Sequence, residues 1–123
     1  PVGKRTLELP AGLAGDLAEH RNEAILAAAR RELLEETGYE ADHWELVATG
    51  PISSGLSSEV AAVYLARPAR QVEAGGGHEG EEIQVHAVPV QQAESWLEER
   101  MGEGILVDPK VYAALYFAVT HRP

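Results

Sequence analysis

Three glutamates in the first third of the chain have the residue type and the spacing of a cation-binding site. Glu32, Glu35 and Glu36 lie three and four positions apart, so a helix brings their side chains to one face. Like charges at this spacing repel each other by roughly 0.2–0.5 kcal/mol per pair, which a helix selected only for stability would avoid. Carboxylate oxygens on a rigid helix are the hard ligands that Mg²⁺ or Mn²⁺ takes, with substrate phosphates completing the shell. The pattern therefore predicts a divalent metal site.

A solvated acidic helix face is the alternative interpretation of these glutamates, because the chain contains 20 Asp and Glu residues. The residues around the cluster favour the metal site. Seven residues separate Glu23 from the pair Arg31-Glu32. Gly38 follows the cluster where a helix would end, and the apolar Tyr39 comes next.

The segment from Glu23 to Tyr39 resembles the Nudix box. In that pattern a glycine and five residues precede the first glutamate, and seven residues then lead to Arg-Glu, an aliphatic residue, any residue, Glu-Glu, any residue, Gly and an aliphatic or aromatic residue. Every specified position from Glu23 onward matches. The opening glycine departs from the pattern, because ten residues separate Gly12 from Glu23. We interpret residues 13–22 as a lengthened loop, which costs little free energy.

The resemblance implies metal-binding roles within the box. Glu32 and Glu36 are the first candidates as ligands, and Glu35 is a third ligand or a holder of coordinated water. The backbone carbonyl of Ala11 is a further candidate, less secure because the lengthened loop follows it. The implied cofactor is Mg²⁺ or Mn²⁺.

Four other residues of this region are expected to support the site. Arg31 is interpreted as an orienting residue that pairs with Glu23 or another acid and keeps the carboxylates aimed. Gly12 shapes the loop before the helix, and Gly38 ends the helix. The alternative for Arg31 is a role unrelated to the carboxylates.

A glycine-rich acidic segment, residues 75–82, resembles the loop that supplies a catalytic glutamate in nucleoside diphosphate-sugar pyrophosphatases of the family. By that resemblance Glu79 is the leading general base and Glu81 the second candidate. A base within the box, at Glu32 or Glu35, is the alternative. We expect the glycines to give this loop freedom to close over substrate. An acidic surface loop is the other interpretation of the segment.

The serine-rich segment 53–59 follows the box at the distance where ADP-ribose pyrophosphatases often carry a proline and a glycine. Ser54 stands where that proline is expected, whereas Gly55 and Leu56 keep the resemblance. We therefore predict substrate contacts at these three residues, with a weakened preference for ADP-ribose over another sugar. A serine-rich turn without a binding role is the alternative.

Composition limits the class of protein. The chain has 123 residues, 45% of them hydrophobic, and no cysteine, which predicts one domain over residues 1–123 and excludes disulfides and thiolate metal sites. The formal charge of −10 disfavours nucleic acid as a partner, because phosphate backbones require clustered Lys and Arg. No apolar stretch reaches the length of a membrane span, so we expect a cytoplasmic protein without a membrane partner.

Hydrophobic periodicity predicts the elements that position these residues. Strands are expected at 5–9, 44–49, 59–65 and 83–90, and helices at 23–37, 91–101 and 108–119. Alternating strands and helices predict an α/β (α+β) fold. The resemblance implies the Nudix-type α/β/α sandwich around a mixed sheet. Such domains place two or more strands before the first one recognised here, so we expect N-terminal strands to lie before Pro1.

These resemblances imply a Mg²⁺-dependent enzyme that hydrolyses the diphosphate of a nucleoside diphosphate sugar. ADP-ribose, giving AMP and ribose 5-phosphate, is the first choice and GDP-mannose the second. Hydrolysis of nucleoside triphosphates fits the glycine-rich acidic loop less well. The related pyrophosphatases imply a homodimer. A non-catalytic metabolite-binding or oligomerisation fragment is the alternative from another class.

Overall fold

The computed structural model describes residues 5–10, 21–51, 55, 60–77 and 83–121, with the backbone alone for 21–24. In chain order the elements are β1 (Thr6–Leu7), α1 (Arg21–Thr37), β2 (Tyr39–Pro51), β3 (Val60–Gln71), α2 (Val90–Gly102), β4 (Leu106–Val107) and α3 (Pro109–Thr120). All three predicted helices are confirmed, with small shifts at their ends. No helix in the described ranges combines the length and apolar character needed to cross a bilayer.

The chain divides into two compact units, which we describe separately. One unit is Pro10–Val85, and the other combines Pro1–Leu9 with His86–Pro123. The first contains α1, β2 and β3, and the second contains the remaining elements. The single domain expected over residues 1–123 stays a prediction.

Helix α1 ends at Gly38 because this residue takes a backbone conformation that other residues avoid. Its φ is 77°, and its N–H donates to the carbonyl of Leu34 at 2.8 Å, as at a glycine C-terminal cap. Thr37 Oγ1 donates to the carbonyl of Leu33 at 2.6 Å and accepts from the N–H of Tyr39 at 3.1 Å. Strand β2 therefore starts directly after the helix, and the predicted helix end is confirmed.

Strands β2 and β3 form one antiparallel ladder that is longer than the sequence predicts. Tyr39 pairs with Gln71 at one end of the ladder, and Pro51 pairs with Val60 at the other. Enrichment in Val, Leu and Tyr marked only the middle of β2 and the first half of β3. Backbone pairing continues past that stretch, so the strand lengths predicted from this enrichment were wrong.

Polar and aromatic cross-strand contacts sustain the longer ladder. Arg70 donates to Asp42 Oδ1 at 2.8 Å and to Glu40 Oε1 at 3.0 Å. The hydrogen bond to Asp42 is the largest cause that raises the pKa of the Arg70 guanidinium. The rings of Trp44 and Tyr64 meet edge to face with centroids 6.0 Å apart. The Arg70 contacts lie in the part of the ladder that the sequence did not predict, whereas Trp44 and Tyr64 lie within the predicted strands.

The second unit has a short parallel pair of strands and two helices. Thr6 of β1 pairs with Leu106 of β4, and Leu7 pairs with Val107. Leu97 of α2 is 3% exposed and marks the interior of this unit. In the first unit the corresponding buried hydrophobic residue of the described chain is Ala28, on α1.

The strand predicted at residues 83–90 is absent, because residues 83–89 are irregular and α2 begins at Val90. The ring of His86 lies against that of Trp96 with centroids 5.1 Å apart. The guanidinium of Arg100 lies 5.0 Å from the centroid of the same indole. This segment therefore contacts a helix side chain rather than a neighbouring strand, and alternation alone does not produce a ladder.

Candidate active site

The predicted metal ligands lie on the last two turns of α1. The side chains of Glu32 and Glu35 are 16% and 30% exposed, and Glu36 is half-buried. The last turn of α1 has no basic residue, and the backbone carbonyls give this end of a helix a negative partial charge. Acidic side chains stabilise a helix least at its C-terminal end. The position of the three glutamates therefore favours a cation-binding role over a structural one.

Arg31 contacts two of the three carboxylates. Its Nη1 lies 3.0 Å from Glu32 Oε1 and 3.5 Å from Glu35 Oε2. Because Arg31 is half exposed, these pairs contribute little to folding stability, and their main effect is on side-chain direction. Contact with two acids is what an orienting role requires. The side chain of Glu23, the other expected partner, lies outside the described residues.

The donor chemistry of the box fits a hard cation. Glu32, Glu35 and Glu36 supply carboxylate oxygens from one helix, as Mg²⁺ prefers. Within the described ranges, however, no three acidic or histidine side chains converge into a group that would hold a metal ion. The expected backbone ligand at Ala11, together with Gly12, lies outside those ranges. A complete coordination shell therefore needs groups beyond these three side chains.

Three consecutive glycines after β3 contact the end of α1. Gly75, Gly76 and Gly77 have φ values of 73°, 102° and 81°, a region that glycine occupies readily and other residues avoid. The N–H of Gly76 donates to the carbonyl of Glu36 at 2.9 Å, and that of Gly77 donates to the carbonyl of Glu35 at 2.8 Å. Carbonyls at a helix end have no partner within the helix. The glycine backbone thus caps two residues that carry predicted ligands.

The close contact between the end of α1 and the segment after β3 requires a glycine in each of the two segments. The carbonyl of Gly38 accepts the N–H of Glu73 at 3.2 Å. A Cβ atom on Gly38 would overlap the carbonyl of Glu73, and a Cβ atom on Gly75 would overlap the backbone of Thr37. Neither position has room for a side chain. We call Gly38 together with residues 73–77 the glycine junction.

Sequence reasoning interpreted the three glycines as a source of loop freedom and missed their capping role. A run of three glycines signals positive φ and close backbone approach, but it does not identify the partner. That partner, the end of α1, is separated from the glycines by the whole β2–β3 ladder. The base candidates Glu79 and Glu81 lie outside the described residues, although they follow the glycine junction directly in sequence.

Of the residues predicted to contact substrate, the structure describes Gly55, which lies in a turn between β2 and β3. That turn follows the Pro51–Val60 end of the ladder, whereas the glycine junction adjoins the Tyr39–Gln71 end. The described backbone therefore does not bring Gly55 next to the carboxylates. Ser54 and Leu56 lie outside the described residues. Substrate binding by this segment stays a prediction.

Comparison with known proteins gives a family match and two relatives. Residues 3–106 match the family described as the NUDIX domain. The chain is 29% identical over 124 residues, 99% of its length, to the methanol dehydrogenase activator of Bacillus methanolicus. It is 41% identical over 70 residues, 57% of its length, to the ADP-ribose pyrophosphatase of Mycobacterium tuberculosis. The chain spans 64% and 32% of the lengths of these two relatives, respectively.

The matched range includes α1 and the glycine junction. Together with the three helices and two sheets of the described residues, the match confirms the predicted Nudix-type α/β (α+β) fold class. The same match confirms the resemblance to the Nudix family, and the roles of the individual box residues stay predictions.

Proposed function

The chain belongs to the NUDIX family, and from this premise we propose that it is a Mg²⁺-dependent hydrolase of nucleoside diphosphate sugars. The substrate we favour is ADP-ribose. Water adds to one phosphorus, the bond from that phosphorus to the bridging oxygen breaks, and the products are AMP and ribose 5-phosphate. The observation that carries the proposal is the glycine junction, which ties the start of the acidic segment to the carboxylate end of α1.

The glycine junction supports a single site for the ligands and the base. The N–H of Gly77 donates to the carbonyl of Glu35, and Glu79 follows two residues later in sequence. Two residues of extended chain span at most about 7 Å. This short chain distance supports the proposal that Glu79 acts as the base for a cation held by Glu35 and Glu36.

Glu32 and Glu36 would hold the cation, with Glu35 as a third ligand and the carbonyl of Ala11 as a fourth. When bound, the cation neutralises the diphosphate charge and lowers the pKa of a coordinated water. Arg31, 3.0 Å from Glu32, positions that carboxylate.

Proton removal from the attacking water is assigned to an acidic side chain. Glu79 is the proposed base, because it resembles the catalytic glutamate of the diphosphate-sugar group. Glu81 is the second candidate, and Glu35 is the candidate within the box. Single substitutions of these three glutamates distinguish the candidates.

The choice of ADP-ribose rests on two supports. The first is the resemblance of residues 75–82 to the loop of diphosphate-sugar pyrophosphatases. The second is the 41% identity over 70 residues to a protein named ADP-ribose pyrophosphatase. GDP-mannose stays the alternative substrate, because Ser54 replaces the proline expected for the ADP-ribose group.

A second candidate function is regulation of a dehydrogenase. It is favoured by the 29% identity to a methanol dehydrogenase activator, which extends over 99% of this chain. The non-catalytic form of this candidate is a metabolite-binding or oligomerisation unit that keeps the box without turnover. Adding the chain to a purified methanol dehydrogenase, with and without the Glu36→Gln change, separates a binding effect from one that needs hydrolysis.

A substrate panel tests the proposal. Purified protein is incubated with Mg²⁺ and ADP-ribose, GDP-mannose, a diphosphate-linked dinucleotide or a nucleoside triphosphate, and products are separated by ion-exchange chromatography. We expect the highest kcat/KM for ADP-ribose and no turnover in EDTA. Higher kcat/KM for a triphosphate would contradict the substrate class, and turnover of none of the four would contradict the enzymatic proposal.

A further inference from the structure

The glycine junction supplies most of the hydrogen-bond partners at the end of α1. The bonds run from the N–H groups of Gly38, Gly77 and Gly76 to the carbonyls of Leu34, Glu35 and Glu36, respectively. The bond from Gly38 is local to the helix end. The other two come from a segment that follows the β2–β3 ladder. The last turn of a helix otherwise relies on water for these bonds.

We propose that Gly75, Gly76 and Gly77 are positioning residues, whose backbone holds the last turn of α1 so that the carboxylates of Glu35 and Glu36 stay aimed at a shared cation. The inference rests on the proposed function, because it takes these carboxylates as cation ligands. It adds a task for residues that neither the Nudix box pattern nor the base assignment includes.

Electrostatic repulsion at the end of α1 explains why the last turn of this helix needs to be held in place. Two carboxylates in a helix C-terminal turn repel each other and the negative end of the helix. That turn has no basic residue of its own, although Arg31 of the preceding turn contacts Glu35 at 3.5 Å. The amides of Gly76 and Gly77 direct partial positive charge at the carbonyls of the two residues that carry the carboxylates. They therefore oppose unwinding where unwinding would separate the ligands.

The conformation of the glycines explains why the task falls to this residue type. All three have positive φ, and Gly75 lies so close to Thr37 that a Cβ atom would overlap the backbone of that residue. Other residues would shift the chain away from the helix end. The two amides would then lose their aim at the carbonyls of Glu35 and Glu36.

Gly76→Ala is the test variant. Its φ of 102° is one that L side chains rarely adopt, yet among the described residues, apart from the two chain neighbours of Gly76, nothing lies within 4 Å of the added Cβ. The substitution therefore disturbs the backbone without a steric clash. Gly75→Ala, which does create a clash, is a harsher second variant.

Gly104→Ala is a matched control at the end of another helix. Gly104 has a φ of 87° and open space around its Cβ position, and its N–H donates to the carbonyl of Met101 in α2 at 3.0 Å. Both substitutions add a Cβ atom to a glycine of positive φ whose N–H donates to a helix-end carbonyl. The control differs because Gly104 follows its own helix directly and its N–H does not donate to the carbonyl of a proposed ligand.

Two measurements on substrate-free protein test the inference. Mn²⁺ affinity is measured by electron paramagnetic resonance, and amide hydrogen exchange is followed in the last turn of α1. In Gly76→Ala we expect Mn²⁺ affinity to fall about ten-fold or more, as when a group that orients ligands is lost, and in Gly104→Ala to stay within about two-fold. Exchange should accelerate in residues 34–38 of Gly76→Ala and stay unchanged there in Gly104→Ala.

Wild-type Mn²⁺ affinity and exchange in Gly76→Ala would overturn the inference, as would equal losses of affinity in both variants. Should Gly76→Ala not fold, exchange in wild-type protein decides. Saturating Mg²⁺ should then slow exchange of the Gly76 and Gly77 amides together with the last turn of α1, and no slowing would overturn the inference.

Hydrolysis of ADP-ribose by wild-type protein tests the proposed function separately. Normal hydrolysis combined with no effect of Gly76→Ala on Mn²⁺ affinity overturns the inference alone. No hydrolysis combined with the expected loss of Mn²⁺ affinity overturns the proposed function and supports the inference. No Mn²⁺ binding by wild-type protein overturns both.

Discussion

A carboxylate at the end of α1 destabilises the helix but favours the binding of a cation. Glu36 adds negative charge where the helix carbonyls already give a negative partial charge. The same charge is what a cation between the helix and a diphosphate requires. Removing it should therefore harm function without harming the fold.

Glu36→Gln is predicted to abolish most Mg²⁺-dependent turnover while leaving the melting temperature of the metal-free protein unchanged or higher. The substitution removes a ligand charge and keeps the side-chain shape. Glu32→Gln should behave similarly. Turnover is measured as a function of Mg²⁺ concentration, and melting is followed in EDTA by circular dichroism.

Glu98→Gln on α2 is the matched control, because Glu98 is an exposed helical glutamate outside the first unit. It should change neither turnover nor Mg²⁺ dependence. If Glu36→Gln keeps the Mg²⁺ affinity and turnover of Glu98→Gln, the assignment of Glu36 as a ligand is wrong.

Glu79→Gln is predicted to lower kcat by roughly 10²–10⁴, the range for loss of a general base, with nearly normal Mg²⁺ affinity. Single-turnover rates and Mn²⁺ titrations measure the two quantities. If Glu81→Gln loses turnover and Glu79→Gln retains it, Glu81 is the general base. Normal turnover in both variants would place the base in the box.

The glutamates were identified through the resemblance to the Nudix box, and helical periodicity predicted that their side chains share a face. Glu32, Glu35 and Glu36 lie on α1 as their spacing predicted. The capping role of Gly76 and Gly77 was not predictable. A backbone hydrogen bond leaves no side-chain signature, and its two partners lie on either side of a long hairpin.

At the scale of elements, helix α3 starts with a cap that the sequence identified. Asp108 Oδ1 accepts the N–H of Lys110 at 2.9 Å, and Asp108 Oδ2 lies 2.8 Å from Lys110 Nζ. The hydrogen bond from the Lys110 side chain is the largest of the causes that lower the pKa of the Asp108 carboxyl below its ordinary value of 3.8. Pro109 lies at the first helical position, where its ring fixes φ near the helical value.

Asp108→Ala is predicted to lower the free energy of unfolding by about 1 kcal/mol, the usual cost of a lost N-cap. Because the folded pKa is below the unfolded one, the ionised carboxylate stabilises the fold above pH 3.8, and this contribution is lost as the pH falls through the lowered folded value. Urea unfolding of both proteins between pH 2 and pH 7 measures the difference. A difference that stays constant below pH 3.8 would contradict the assigned cause.

The elements divide into those that local sequence determines and those that need a partner. Helices α1, α2 and α3 were predictable because periodicity and caps are local. The ladder of β2 and β3 extends further than enrichment in Val, Leu and Tyr indicated, because cross-strand contacts such as Arg70 with Asp42 also favour pairing. Residues 83–89 alternate like a strand and are irregular, since alternation does not by itself provide a strand to pair with.

At the scale of the whole molecule, the expected homodimer is a proposal supported by α3. This helix, described in full, has no buried residue, and Tyr116 on it is 61% exposed. Tyr112 and Val119 are also exposed. Apolar surface of this kind is typical of interaction sites.

We predict that the chain forms a dimer at micromolar concentration and that Tyr116→Lys shifts it toward the monomer. The substitution places a charge on an exposed apolar helix face, where association would have to desolvate it. Light scattering coupled to gel filtration measures the mass. A monomeric, fully active wild-type chain would contradict the dimer. Gln91→Lys, which adds the same charge at an exposed position of α2, is the control.

We propose that α1 and the glycine junction form a site that hydrolyses a diphosphate sugar with Mg²⁺. Product identification by ³¹P nuclear magnetic resonance, after incubation of the chain with ADP-ribose and Mg²⁺, tests this proposal most directly. We predict loss of both diphosphate signals and equal amounts of AMP and ribose 5-phosphate, with no reaction in EDTA. Intact ADP-ribose, or products that do not include AMP, would contradict it.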